Sequence, residues 1–166
     1  MKKIVSQPAV VPKVTPREAR RRDLVLYVED NDDNWHIAKL RLSDGYELVR
    51  AASAREACRL LCTRGAEFSA LLMDIELRGS ELNGVELVEL LRGKRPRASA
   101  PDFARELPAL AAPILFVTAH GAKYTDEVLL AAGGDKVIAK PVDFGALSLA
   151  LTHLHLSSAA RHRRSP

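Results

Sequence analysis

The sequence contains only two cysteines, Cys58 and Cys62, in 166 residues. Two cysteines cannot build a disulfide framework. No CxxC pair and no nearby pair of histidines supplies the further ligands that a zinc site needs. The two cysteines are four residues apart, so they share one face of a predicted helix, where packing is their expected role. This usage of cysteine is typical of a protein in the reducing cytoplasm.

The chain also lacks long apolar runs. No stretch approaches 18 consecutive apolar residues, so no membrane-spanning helix is expected. The first 14 residues are basic and then mildly apolar, but Pro8 and Pro12 interrupt them. A secretory signal is therefore not expected. Apolar residues make up 47% of the chain and charged residues 28%, which is ordinary for a globular domain with a proper core. The length favours one domain.

Charge is distributed unevenly along the chain. Residues 1–22 hold seven Lys or Arg and one Glu, and residues 156–166 hold three Arg and no acid. Since the whole chain has a formal net charge of +4, the part between them carries about −5. We therefore predict an acidic domain over residues 23–156, a basic and disordered extension over 1–22, and a basic tail over 157–166. Such tails can contact acidic partners, but nucleic acid is not an expected partner.

Short apolar runs alternate with amphipathic stretches five times. The predicted strands are residues 24–30, 46–52, 69–74, 112–119 and 136–141. The predicted helices are residues 33–43, 53–65, 83–93, 125–134 and 143–154. Asp33 is a candidate N-cap of the first helix, and Ser53 with Glu56 predicts a capping box in the second. The strands are continuously apolar, as expected when helices cover both faces of a parallel sheet. The fold class is therefore α/β, with a doubly wound five-stranded parallel sheet.

One segment does not fit this alternation. Residues 93–110 connect the third helix to the fourth strand and contain three prolines. The connection is longer than is usual between such elements. It is either an insertion tolerated at the surface or a partner-binding loop. Within it, the stretch FARELPAL (103–110) has the composition of a short helix.

Polar side chains stand at the ends of four predicted strands. Glu29 and Asp30 end the first strand, Asp74 the third, Thr118 lies near the end of the fourth, and Lys140 near the end of the fifth. In an open parallel sheet, ligands bind beyond the carboxyl ends of the strands. We therefore expect these five side chains to converge at one site.

The residue types at this site favour phosphoryl chemistry. Three close carboxylates repel one another unless some are protonated or a cation lies between them, and Mg²⁺ prefers such oxygen ligands. A carboxylate can act as a phosphoryl nucleophile and form an aspartyl phosphate. Lys140 offers a point charge to phosphate oxygens, and Thr118 offers a hydroxyl donor. The set predicts a phospho-acceptor site, with Asp74 at the end of a core strand as the acceptor.

Four motifs at these strand ends, VED (28–30), LLMD (71–74), FVTA (116–119) and AKP (139–141), resemble the receiver domain of two-component response regulators. The resemblance extends over residues 24–155. It implies the flavodoxin-like (βα)5 receiver fold. Nothing after the last predicted helix is long enough for an output domain, so we expect a stand-alone receiver that signals by protein contacts and is not an enzyme.

The resemblance also implies roles for individual residues. Asp74 would accept a phosphoryl group from a histidine kinase or a phosphotransfer protein. Asp30 would bind Mg²⁺ directly, Glu29 would assist through water, and the main-chain carbonyl of Glu76 would complete the protein ligands. Thr118 and Lys140 would bind the phosphoryl group and convey the change of state.

Two further expectations come from the resemblance. The Lys140–Pro141 peptide bond is expected to be cis, which X–Pro bonds permit at modest cost. Output is expected through contact with a downstream protein partner, and a homodimer is left open.

The sequence departs from the receiver pattern at several positions. Arg78 stands where receivers often carry proline, and the loop over residues 76–84 is about two residues longer than usual. Val137 occupies the usual position of an aromatic switch residue. Glu76 and His120 lie where receivers tune the lifetime of the phosphoryl group.

These departures keep a second interpretation open. A receiver-like interaction module that works without phosphorylation is favoured by Val137, whereas the intact Asp74, Thr118 and Lys140 argue against it. An aspartyl-phosphate phosphatase usually carries a second acid two residues after its nucleophile, and Glu76 has that spacing. The acidic pair lies on the wrong strand for such an enzyme, so this activity is not expected.

Overall fold

The computed structural model describes residues 22–119 and 123–162, the last six of them as backbone only. His120, most of the predicted basic extension and the end of the predicted tail lie outside the described residues. Among those described, no helix is both long and apolar enough to cross a membrane.

The described residues form one five-stranded sheet with helices on both faces. The strands are β1 (Asp23–Val28), β2 (Tyr46–Ala51), β3 (Ala70–Asp74), β4 (Ile114–Ala119) and β5 (Lys136–Lys140). The α-helices are α1 (Asp32–Leu42), α2 (Ala54–Arg64), α3 (Gly84–Leu91), α4 (Asp126–Ala132) and α5 (Phe144–His162). The strand order is β2-β1-β3-β4-β5, and every neighbouring pair is parallel. The predicted fold class is confirmed.

Alternate residues of the strands face opposite layers of helices, which explains their continuous apolar character. In β1, Leu26 and Val28 are fully buried in a cluster with side chains of α2, α3 and α4. Val25 and Tyr27 are buried in a second cluster with side chains of α1 and α5. Both faces of the sheet are therefore shielded from solvent, and its polar chemistry is confined to the strand ends.

The predicted helix caps are partly correct. The side chain of Asn31, not that of Asp33, caps α1 by accepting a hydrogen bond from the Asn34 N–H. Ser53 caps α2 as predicted and accepts from the Glu56 N–H. The Glu56 carboxylate does not close the expected capping box on the Ser53 N–H, because it accepts from the preceding N–H, that of Ala52.

The insertion over residues 93–110 packs against the domain. It contains two 3-10 turns, Arg97–Ser99 and Asp102–Ala104, and its Ala104 and Leu107 are buried in the core cluster beside α2. The predicted short helix over residues 103–110 is wrong. Only its first two residues belong to a helical turn, and Pro108 has no N–H with which to continue one.

The Lys140–Pro141 peptide bond is cis, as expected. It lies at the carboxyl end of β5, where the chain turns from the sheet into α5. Lys140 therefore sits at the same edge of the sheet as the acidic residues that follow β1 and end β3.

Candidate functional site

The five polar residues at the strand ends line one cavity. Glu29 and Asp30 follow β1, Asp74 ends β3, Thr118 lies in β4 and Lys140 ends β5, around a volume of about 270 Å³. The parallel arrangement produces this convergence because all four strands end at the same edge of the sheet. Side chains from four strands thus surround one space.

Glu29 is the most enclosed carboxylate of the cavity, with none of its surface exposed. Its Oε2 accepts hydrogen bonds from the Tyr27 hydroxyl at 2.8 Å and from Lys140 Nζ at 2.9 Å. Its Oε1 accepts from the Asn31 N–H at 3.1 Å and from Asn34 Nδ2 at 3.2 Å. Burial alone would raise the pKa of Glu29, but the bonds from Lys140 and the other donors outweigh it and hold the pKa below its usual range.

Asp74 lies against Lys140. The Lys140 Nζ donates to Asp74 Oδ2 at 2.6 Å, and the Glu76 N–H donates to Asp74 Oδ1 at 3.3 Å. Burial raises the pKa of Asp74 to about 6, although the bond from Lys140 opposes the shift and the charge of Glu29 adds to it. For Lys140, burial lowers the pKa, but the bonds to Asp74 and Glu29 outweigh it and raise the pKa overall. The ammonium therefore stays charged between two carboxylates.

Asp30 lies at the opening of the cavity on a loop that Arg50 fixes in place. The guanidinium of Arg50, from the end of β2, donates to the main-chain oxygens of Glu29 at 3.0 Å and of Asp30 at 2.9 Å. It also forms an ion pair with Asp32 at 2.6 Å. On the other side, the Arg78 N–H donates to Asp30 Oδ2 at 3.2 Å. The main chain at Arg78, where receivers often have proline, therefore contacts an acidic residue of the site.

Gly84 lets the first turn of α3 approach the acceptor strand. Its N–H donates to the main-chain oxygen of Ile75 at 2.9 Å. A Cβ placed on Gly84 would lie 1.9 Å from the main-chain oxygen of Asp74, so a side chain at this position would displace the backbone. α3 begins here because Asn83 and Glu86 form a capping box. The 76–84 loop thus ends in direct contact with the candidate acceptor residue.

Thr118 and Val137 lie on neighbouring strands with different surroundings. Thr118 is 8% exposed and lines the cavity. Its hydroxyl donates to the main-chain oxygen of Ala119 at 3.4 Å. Val137 is half-buried and packs against the core cluster on the α2–α4 face of the sheet. The side chain that replaces the usual aromatic residue therefore packs against the core of that face and stays partly exposed.

Sequence reasoning missed three residues of this site. The sequence pattern places Tyr27 and Arg50 in predicted strands and Asn34 in a predicted helix, and it assigns them no role at the site. All three contact Glu29, at its carboxylate or its main-chain oxygen. The alternation of β1 holds a signal for Tyr27, because a residue two positions before Glu29 projects from the same side of the strand.

The acidic cluster fits a hard divalent cation. Glu29, Asp30 and Asp74 each offer a carboxylate oxygen, and these oxygens lie within 4.8 Å of one another. Carboxylate oxygens at this spacing suit Mg²⁺, which takes one or two carboxylates and keeps several waters. The described residues thus include a set of side chains able to hold the expected metal.

Comparison with known proteins identifies the same region. A sequence model described as "Response regulator receiver domain" matches residues 25–152. The polar-differentiation response regulator DivK of Brucella anthropi is 31% identical over 119 residues, which cover 71% of this chain and 84% of DivK. An NtrX-like protein of Rickettsia bellii is 27% identical over 128 residues, 76% of this chain. The chain spans only 23% of the length of that NtrX-like relative.

Solved structures share the fold. The receiver domain of NtrX from Brucella abortus superposes with a TM-score of 0.63 at 24% identity, covering 79% of this chain and 97% of that one. A response regulator receiver domain protein from Clostridium thermocellum gives a TM-score of 0.67 at 18% identity, covering 83% and 98%. At these identities the likeness concerns the fold alone, and it agrees with the five-stranded parallel sheet described above.

Proposed function

Because the chain belongs to the response regulator receiver domain family, we propose that it is a response regulator receiver that accepts a phosphoryl group on Asp74. The observation that carries this proposal is the position of the Asp74 carboxylate. It ends β3 inside the cavity, 2.6 Å from the ammonium of Lys140 and beside the carboxylates of Glu29 and Asp30. A nucleophile, a cation for phosphate oxygens and a set of metal ligands are thus within one cavity.

The phosphoryl donor is a phosphohistidine of a histidine kinase or phosphotransfer protein. An oxygen of the Asp74 carboxylate attacks the phosphorus atom, and the new O–P bond forms as the N–P bond of the donor breaks. The electron pair of the broken bond returns to the imidazole nitrogen of the donor. Lys140 neutralises charge on the phosphoryl oxygens, and the Thr118 hydroxyl donates a hydrogen bond to one of them.

Asp30 and Asp74 are the side chains that would hold Mg²⁺ directly, with the main-chain carbonyl of Glu76 as the third protein ligand. Glu29 lies behind them and contributes negative charge through the indirect role that the resemblance implies. When bound, the metal neutralises charge between the acceptor carboxylate and the incoming phosphoryl group. Arg50 holds the Asp30 loop in place through its bonds to the main chain.

Phosphorylated Asp74 then signals through contact with a downstream protein in the cytoplasm, where free cysteines such as Cys58 and Cys62 are stable. A phosphorylation-dependent homodimer is one form that this contact can take. Val137 favours a second candidate, an interaction module that works without phosphorylation, because it supplies no aromatic ring to follow a movement of Thr118.

The test is labelling by a small-molecule phosphodonor such as acetyl phosphate, read by intact mass. We expect the wild type to gain one phosphoryl group only when Mg²⁺ is present. Asp74→Asn should gain none, whereas Asp44→Asn, a matched change at an exposed aspartate, should behave like the wild type. Absence of an adduct under conditions that label another receiver would reject the proposal and favour the interaction module.

A further inference from the structure

The carboxylate of Glu29 is surrounded by hydrogen-bond donors from the protein. Lys140 and the Asn31 main chain supply two of them, and the side chains of Tyr27 and Asn34 supply the other two. An ionised carboxylate has about four lone-pair positions. The four donors therefore occupy its accepting capacity, and the side chain has no surface exposed to solvent.

Tyr27 differs from the other three donors because its hydroxyl can be removed while its packed ring is kept. The Lys140 ammonium is shared with Asp74, and the Asn31 N–H belongs to the main chain. The Tyr27 hydroxyl lies at the end of a ring that is 2% exposed and packed in the α1–α5 face cluster. Replacing this residue by phenylalanine would keep the packed ring and remove only the bond to Glu29 Oε2.

We propose that Tyr27 is a positioning residue that withholds the Glu29 carboxylate from the metal and thereby lowers the Mg²⁺ affinity of the site. This inference rests on the metal site of the proposed function. A carboxylate whose lone pairs are all engaged cannot bind Mg²⁺ directly unless a donor leaves first. Tyr27 and Asn34 thus keep one of the three acidic groups in an indirect role and leave coordination to Asp30 and Asp74.

Removal of the Tyr27 hydroxyl has three consequences, and all of them increase the affinity of the site for Mg²⁺. One lone pair of Glu29 Oε2 becomes available to a metal-bound water. The charge on that oxygen is no longer reduced by a donated hydrogen bond. Lys140, whose Nζ donates to both Glu29 and Asp74, is drawn toward Glu29 and leaves Asp74 freer to bind the metal. Each effect makes Mg²⁺ binding stronger.

A purely structural tyrosine would behave differently. Loss of a buried hydrogen bond would lower thermal stability and leave the metal affinity of the folded protein unchanged or weaker. Tyr46 supplies the matched control, because its hydroxyl is also buried and bonded, to the main-chain oxygen of Ser148 at 3.2 Å and to Thr152 Oγ1 at 3.1 Å. These partners lie on α5, away from the acidic residues.

The test is titration calorimetry of the full chain with MgCl₂, using the wild type, Tyr27→Phe and Tyr46→Phe. We expect Tyr27→Phe to bind Mg²⁺ about threefold to tenfold more tightly, the size expected when one charge-assisted bond is redistributed. Tyr46→Phe should match the wild type. Equal or weaker binding by Tyr27→Phe, with the variant folded by circular dichroism, would overturn the inference.

A second variant covers the case in which Tyr27→Phe does not fold. Asn34 is half-buried near the start of α1, and Asn34→Ala removes the side-chain donor to Glu29 Oε1 while keeping the helix. It too should bind Mg²⁺ more tightly, and unchanged binding would overturn the inference. Failure of the proposed function looks different, since then the wild type would bind no Mg²⁺ or Asp30→Asn would bind it equally well.

Discussion

The ammonium nitrogen of Lys140 lies 2.6 Å from Oδ2 of Asp74, so the candidate acceptor and the cation proposed to bind its phosphoryl group are already paired. A buried carboxylate without a partner is costly, and this pair explains how β3 can end on an acid inside the protein. Lys140 also contacts Glu29 at 2.9 Å. On the proposed function, a phosphoryl group on Asp74 would offer new acceptors to the same ammonium without moving it far.

The raised pKa of Asp74 predicts how stability depends on pH in Mg²⁺-free buffer. Burial raises this pKa to about 6 in the folded protein, whereas the unfolded chain ionises near the ordinary value of about 4. Between these values the folded state binds more protons, so ionisation of Asp74 lowers the free energy of unfolding as pH rises from about 4 to about 6. We therefore expect Asp74→Asn to have a higher free energy of unfolding than the wild type above pH 6 and a similar one near pH 4.

Urea unfolding at a series of pH values, with a chelator present, measures this difference. Asp44→Asn removes an exposed carboxylate and controls for the change in net charge. A difference between Asp74→Asn and the wild type that did not grow between pH 4 and pH 6 would contradict the raised pKa.

Gly84 is predicted to be required for the close approach of α3 to the acceptor strand. Gly84→Ala places a Cβ within 1.9 Å of the Asp74 main-chain oxygen, so the backbone must shift. We expect the free energy of unfolding to fall by about 1–3 kcal/mol, as for other overpacked sites, and labelling of Asp74 by acetyl phosphate to slow. Gly45→Ala is the matched control, because a Cβ there meets nothing within 4 Å. Equal urea midpoints and labelling rates for the two variants would contradict this role.

The sheet and the strand-end residues were predictable because they depend on local pattern. Continuous apolar strands indicate a sheet covered on both faces, and parallel strands bring their carboxyl ends together whatever the details of packing. Asp74, Thr118 and Lys140 could thus be placed at one edge from their positions alone. The roles of these residues in phosphoryl transfer stay predictions.

The contacts that orient the site were not predictable in the same way. Arg50 reaches Glu29 and Asp30 only because β1 and β2 pair with Tyr27 opposite Arg50. That register cannot be inferred from the sequence of either strand alone. Asn31 and Asp33 are both good N-cap residues. Asn31 is the cap in the structure, and its own N–H also donates to Glu29, a contact that sequence spacing does not indicate.

Arg50 is predicted to support metal binding from outside the cavity. Its guanidinium holds the main-chain oxygens of Glu29 and Asp30, so its removal should loosen the loop that carries Asp30. We expect Arg50→Met to weaken Mg²⁺ binding by about threefold to tenfold, a loss comparable with that of one hydrogen bond to a neutral group. Titration calorimetry checks this. Arg59→Met, which changes an arginine that is 65% exposed, should bind like the wild type, and equal affinities for the two variants would contradict the prediction.

Arg92 is predicted to fasten the insertion to the rest of the domain. From the end of α3, its guanidinium donates to the main-chain oxygens of Leu110, of Ala112 at 3.1 Å and of Gly133 at 3.0 Å. It also forms an ion pair with Asp135 at 2.7 Å. We expect Arg92→Met, which keeps the apolar stem, to lower the free energy of unfolding by about 2–4 kcal/mol, because several carbonyls lose a charged donor at once.

Hydrogen exchange distinguishes this fastening from a general loss of stability. In Arg92→Met the amides of residues 107–114 should lose more protection under native conditions than those of β1, on the opposite side of β3, whose loss should not exceed the fall in the global free energy of unfolding. Arg59→Met serves as the control, with an expected change in unfolding free energy within about 0.5 kcal/mol. If Arg92→Met exchanged like Arg59→Met throughout the insertion, the segment would be held by its buried apolar residues, Ala104 and Leu107, and not by Arg92.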